Sequence, residues 1–141
     1  EKLKKRELDF DDEMTRPYFE QGRVLQGLLD FVSELFGISF EPVDVPVWNE
    51  KVKVFDLQER GETFARIYFD LEARKNKRGG AWMNDWQTNH EDEKGVGHLA
   101  SAFVVCNFQP STRTTPSLLR HDDVVTLFHE AGHAIHHLFS K

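Results

Sequence analysis

Thr126–Phe139 reads TLFHEAGHAIHHLF, and it decides how the rest of the chain is understood. Within it His129-Glu130-x-x-His133 falls in a run with helical spacing. On a helix, residues four apart lie one above the other on the same face, so His129 and His133 can offer two imidazole nitrogens to one ion. Glu130 sits one residue along, on the flank of that face. From there its carboxylate can reach a water beside the ion without binding the ion itself. Two His ligands with a glutamate base are the spacing expected of a zinc peptidase. Val124, Phe128, Ala131, Ile135 and Leu138 recur on another side and predict the anchoring face. Asp122 and Asp123 suit the positive end of the helix dipole, so a helix is predicted over about 122–140. Gly132 costs about 1 kcal/mol there relative to Ala, which predicts a close neighbour at that point.

Working outward, residues 99–108, LASAFVVCNF, carry apolar side chains on both parities and predict a strand buried on both faces. Its single cysteine, Cys106, is expected to be a packed thiol; with no second cysteine, no internal disulfide forms. Before it lies a polar excursion over 72–98, where Gly79-Gly80 permits unusual backbone angles and Lys75, Lys77 and Arg78 read as a solvated basic cluster. His90 and His98 are expected to be ordinary loop residues. Strands are predicted around Ile38–Phe40, Val52–Leu57 and Phe64–Leu71, the last two joined through Glu59-Arg60-Gly61-Glu62 as an antiparallel hairpin. Val43–Trp48 is expected to be irregular. Val24, Leu25, Leu28, Leu29, Val32, Leu35 and Phe36 keep helical rhythm up to Gly37, predicting a largely buried helix over about 20–36. Residues 1–19 are strongly charged, and Glu1–Leu8 is expected to be helical.

These elements amount to an α+β fold with a small, mostly antiparallel sheet. A net charge of −6, with no basic stripe, speaks against nucleic acid as a partner. No apolar run reaches eighteen residues and no signal-peptide pattern opens the chain, so a cytoplasmic protein without a membrane partner is expected.

With those residues in view, the chain resembles the thimet oligopeptidase family of zinc metallopeptidases, the group that includes oligopeptidase A and bacterial dipeptidyl carboxypeptidase. The likeness runs through Arg16–Phe40, Phe69–Met83 (FDLEARKNKRGGAWM), Phe103–Phe108 (FVVCNF) and Leu118–Phe139 in that order. One departure is Ala131, where such sequences usually carry Phe between the Glu and the Gly.

The resemblance implies a zincin-like piece of a larger, mostly helical peptidase acting on short peptides. By this likeness His129 and His133 are zinc ligands and Glu130 is the general base. Relatives take their third ligand from a glutamate on a later helix, and Lys141 comes before any such position. The expectation is therefore that residues 1–141 form an incomplete catalytic domain, inactive alone and prone to self-association through uncovered apolar surface. In zinc peptidases of this general class an edge strand pairs with the substrate backbone. Residues 99–108, with Ala102 and Val104 at their centre, are the candidate strand, and Gly79 and Gly80 are a second candidate contact. Two other readings keep the motif without the chemistry. One is a non-catalytic interaction domain; the other is a structural metal site closed by His121 or His137.

Overall fold

The computed structural model describes residues 19–75, 77, 79–87, 90–91 and 97–139. The expected helix at Glu1–Leu8 and the basic Arg78 lie outside them, as do the side chains of His90 and His98.

Helix α1 (Gln21–Phe36) begins where Glu20 turns its carboxylate onto the amides of Gly22 (2.9 Å) and Arg23 (3.1 Å), filling two of the donors that a helix start leaves unpaired. It ends at Gly37, whose left-handed φ of 68° lets its N–H reach the Ser33 carbonyl. Leu25, Leu28, Leu29 and Val32 are buried. The predicted burial of Leu35 and Phe36 does not hold. Leu35 is 62% exposed and Phe36 is 49% exposed, because nothing among the described residues covers the outer side of α1.

Strand β1 (Ser39–Pro42) follows at once, then an irregular strap over 43–52, then β2 (Lys53–Glu59) and β3 (Glu62–Glu72). The β2–β3 turn has positive φ at both central residues, Arg60 (54°) and Gly61 (81°). That geometry matches the right-handed twist of the flanking strands. Here the excursion over 72–98 departs from expectation. It contains β4 (Trp82–Gln87) and two short strands, β5 (His90–Glu91) and β6 (Gly97–His98), which pair with each other. Strand β7 (Ala100–Phe108) then enters the main sheet, whose order is β1-β2-β3-β7-β4. The β3–β7 pair is parallel and the other three are antiparallel, so the sheet is mostly antiparallel as expected.

Helix α2 (His121–Phe139) closes the described fold. Its first turn carries Asp122 and Asp123, and Asp123 accepts the Arg120 amide at 2.9 Å, one half of a capping box. Amides and carbonyls exchanged between Gln21 and Ser117 (2.9 Å) and between Leu119 and Phe19 (2.8 Å) tie the starts of the two helices together. Leu127, Ala131, Ala134, Ile135 and Leu138 face the core. Phe128, expected among them, is 40% exposed; Leu127 and Ala134 take the buried stripe instead, so the inward face lies a little to one side of the predicted one.

Both helices cover one face of the sheet, packing against Leu57, Ala65, Ile67, Phe69, Ala102, Val104 and Cys106. The opposite face holds a smaller cluster of Val52, Val54 and Tyr68, roofed by Val43, Val45 and Val47 from the strap. No helix among the described residues is long and apolar enough to cross a membrane.

Candidate active site on helix α2

The local sequence puts two imidazoles on the side of α2 that the sheet does not cover. His129 and His133 are both exposed, one turn apart, with their Nε2 atoms 3.1 Å from each other. Their rings stand edge to face, centroids 4.6 Å apart. At this distance one ring can donate to the other, and two neutral imidazoles so close can instead turn both lone pairs to a single cation. Among the described residues no group of three or more His, Cys, Asp or Glu side chains converges on one point, so neither His121 nor His137 joins the pair.

Glu130 is half-buried, where the two histidines are exposed. Its position is felt at Cys106, in the middle of β7. Burial pushes the Cys106 thiol up to about 12, and the nearby Glu130 carboxylate adds to that shift. The thiol is accordingly a packing group without nucleophilic character, as its surroundings in the strand suggested.

Gly132, between the histidines, has nothing within 4 Å of the place a Cβ would occupy. The close neighbour inferred from the sequence is absent from the described residues. Instead Gly132 borders an apolar groove between the helices, a cavity of about 390 Å³ lined by Phe31, Leu35, Phe36 and Phe128 among others.

The candidate strand over 99–108 lies inside the sheet, where an edge was expected. Ala102 and Val104 are fully buried, and β7 is paired on both sides: Ala102 stands opposite Ile67 and Asp85, Val104 opposite Phe69 and Met83. A strand with both sets of backbone groups engaged has none to give a peptide. Among the described residues the sheet has two edges, β1 and β4, and it is β4 that packs beside α2 together with β7. A run such as Ala81-Trp82-Met83 in a Gly-rich polar stretch was the available signal for it.

Gly79 and Gly80 precede that edge. Gly80 has φ of 88° and gives its carbonyl to the Asn107 amide; both glycines have open space where a side chain would be.

The basic cluster is not solvated throughout. The Lys77 side chain is only 4% exposed, and its ammonium donates to the Asp70 carboxylate (3.0 Å), the Asp70 carbonyl (3.0 Å) and the Glu72 carbonyl (2.8 Å). Asp70 also accepts a forked pair from Arg74 (2.7 and 3.0 Å) and the Trp48 indole N–H (2.9 Å). Burial alone lifts the Asp70 carboxyl, but the hydrogen bonds from Arg74, Trp48 and Lys77 outweigh it and hold it below its ordinary value. At Glu72, burial is likewise overcome by the Ser111 amide and hydroxyl and by Lys51.

Comparison with known proteins fits this picture. The profile of peptidase family M3 matches residues 1–141. Oligopeptidase A of Escherichia coli is 40% identical over 143 residues, and that of Salmonella typhimurium 39%; each match takes in 100% of this chain and 21% of the relative. Dipeptidyl carboxypeptidase of Escherichia coli is 38% identical over 144 residues, with the same two shares. The chain thus spans about a fifth of the length of these curated relatives. A match that runs from the first residue to the last, through both helices and every strand described above, places this chain in peptidase family M3.

Proposed function

We propose that this chain forms the first part of the catalytic domain of a zinc-dependent peptidase that hydrolyses short peptides, with His129 and His133 as two zinc ligands and Glu130 as the general base. The observation that carries the reading is the 3.1 Å approach of the two Nε2 atoms on the open side of α2. Two nitrogens held at about 2.0–2.1 Å by one tetrahedral zinc stand about 3.3 Å apart, so the pair needs almost no adjustment to share an ion. Zinc bound at such a site would supply a Lewis acid for the scissile carbonyl and would lower the pKa of water to about 7.

The remaining steps fall to residues of the chain. Glu130 takes the proton of the attacking water and passes it to the leaving nitrogen. Its half-buried place beside the histidines on α2 supports this role, since the same helix packs beside β4. An extended peptide adds to that edge through main-chain hydrogen bonds, which gives recognition with little dependence on side-chain sequence. Gly79 and Gly80, with no side chains to intrude, leave room at the start of the strand. The two His ligands found among the described residues are fewer than the three that catalytic zinc sites use, so in this reading the 141 residues alone bind zinc weakly and do not hydrolyse peptides. The exposed Phe31, Leu35, Phe36 and Phe128 favour self-association of the isolated chain. A reducing, cytoplasmic setting suits the lone buried thiol.

The test is Glu130→Gln in the full-length protein. The reading expects kcat to fall by about 10²-fold or more with zinc content unchanged. Near-normal turnover in a zinc-loaded variant removes Glu130 from the base role.

A further inference from the structure

The Lys77 ammonium sits where a lysine is seldom found, almost fully enclosed with three acceptors around it, all on β3. An ammonium has three protons, and here each has a partner. Two of the three acceptors are main-chain carbonyls, so the bond set fixes where the backbone near Lys77 lies relative to the end of β3, beyond neutralising Asp70. Two further ties act on the same connection. The Ala73 amide donates to the Phe108 carbonyl at 2.9 Å, and the Asn107 amide side chain holds the Gly80 carbonyl. The chain between β3 and β4 is thus fastened at its beginning, middle and end to β3 and β7. Two residues after Gly80, Trp82 enters register opposite Val105, and Met83 opposite Val104.

We propose that Lys77 is a positioning residue for the substrate: by tying the connection to Asp70 and Glu72 it sets where the β4 edge lies relative to His129, Glu130 and His133. The inference rests on the reading of β4 as the peptide-binding edge. Lys77 touches neither the peptide nor the metal pair. It acts through the strand, and its effect falls on peptide binding. An edge held less firmly weakens ground-state and transition-state binding of the peptide alike, so the loss appears in KM with kcat kept.

The experiment is steady-state peptide hydrolysis by the full-length protein, comparing Lys77→Met and Asn107→Ala with the unsubstituted enzyme and measuring zinc content alongside. The expected result is a KM raised by about tenfold in Lys77→Met and by a smaller factor in Asn107→Ala, with kcat within about twofold and zinc unchanged. A merely structural lysine gives a different pattern: a smaller folded fraction lowers apparent kcat and leaves KM where it was. That pattern overturns the proposal. Should Lys77→Met fail to fold, Asn107→Ala decides, because it cuts the same connection at a part-exposed point; an unchanged KM there overturns the proposal too. If the unsubstituted full-length enzyme has no zinc-dependent hydrolysis, the proposed function fails and the inference falls with it. An active enzyme with unmoved KM sinks the inference alone.

Discussion

The two faces of the sheet are built on different physics. The face under α1 and α2 is dry, filled by Leu57, Ile67, Phe69, Val104, Leu127 and their neighbours, with no ion pair among the residues that form it. Its strength comes from removing apolar surface from water, which neither protons nor moderate salt affect. The opposite face sets Trp48 against Tyr68 and Phe103 (ring centroids 5.7 and 5.3 Å), then surrounds them with Asp56–Arg66, Asp70–Arg74–Lys77 and Glu72–Lys51. There the order depends on charge. In this account the dry face carries the helix that presents the histidines, and the charged face holds the strand on which a peptide lies. One domain therefore has a face whose packing is indifferent to acid and a face whose ion pairs are sensitive to it.

The largest effect that probes this contrast is Leu127→Ala. Leu127 is fully buried at the centre of α2, and emptying it costs about 3–5 kcal/mol, the upper part of the range for such truncations. Urea unfolding should give the same loss at pH 7 and at pH 4; a strongly pH-dependent loss means the dry face is not independent of the other.

Next comes Asp70→Asn, which strands the enclosed Lys77 and the Arg74 guanidinium. Removing one partner of a buried ion pair costs about 3 kcal/mol, here at the low end because Arg74 is partly exposed. Its pH signature separates it from the first variant. Asp70 and Glu72 are both held below their ordinary values of 3.8 and 4.5. On acidification the unfolded chain therefore takes up protons first. The stability these carboxylates supply is complete above their ordinary values and is lost as the pH falls through their lower native ones. The unsubstituted chain should lose stability steeply below about pH 4.5, and Asp70→Asn should do so less steeply. Equal slopes for the two proteins would remove Asp70 from the balance.

Particular residues show why some of this was legible in the sequence and some was not. Both helices and the β2–β3 hairpin follow from local rules: 3.6-residue spacing, Gly37 as a stop, Arg60-Gly61 as a turn. Strand order does not. The parallel β3–β7 pairing joins residues more than thirty positions apart, as in Ala65 opposite Ala100, and only that pairing turns β7 from an edge into an interior strand. The same holds at Lys77, whose composition argued for solvent. Its partners become visible only once the connection folds back on β3. Phe128 shows a subtler limit, since periodicity gives the width of an apolar stripe but not which part of it another element covers.

A smaller effect sharpens the point at Gly132. With open space where a Cβ would go, Gly132→Ala should stabilise the 141-residue chain by up to about 1 kcal/mol, the difference in helix propensity. A loss of stability on thermal unfolding would mean that a neighbour does press on this turn of α2.

The central claim is that His129 and His133 are two ligands of one zinc ion, and its most direct test is zinc titration of the 141-residue chain beside His133→Ala. The account predicts binding in the micromolar range or weaker, lost in the variant, as befits a pair of ligands at 3.1 Å with no third side chain among the described residues. Zinc affinity that is unchanged by His133→Ala would contradict it.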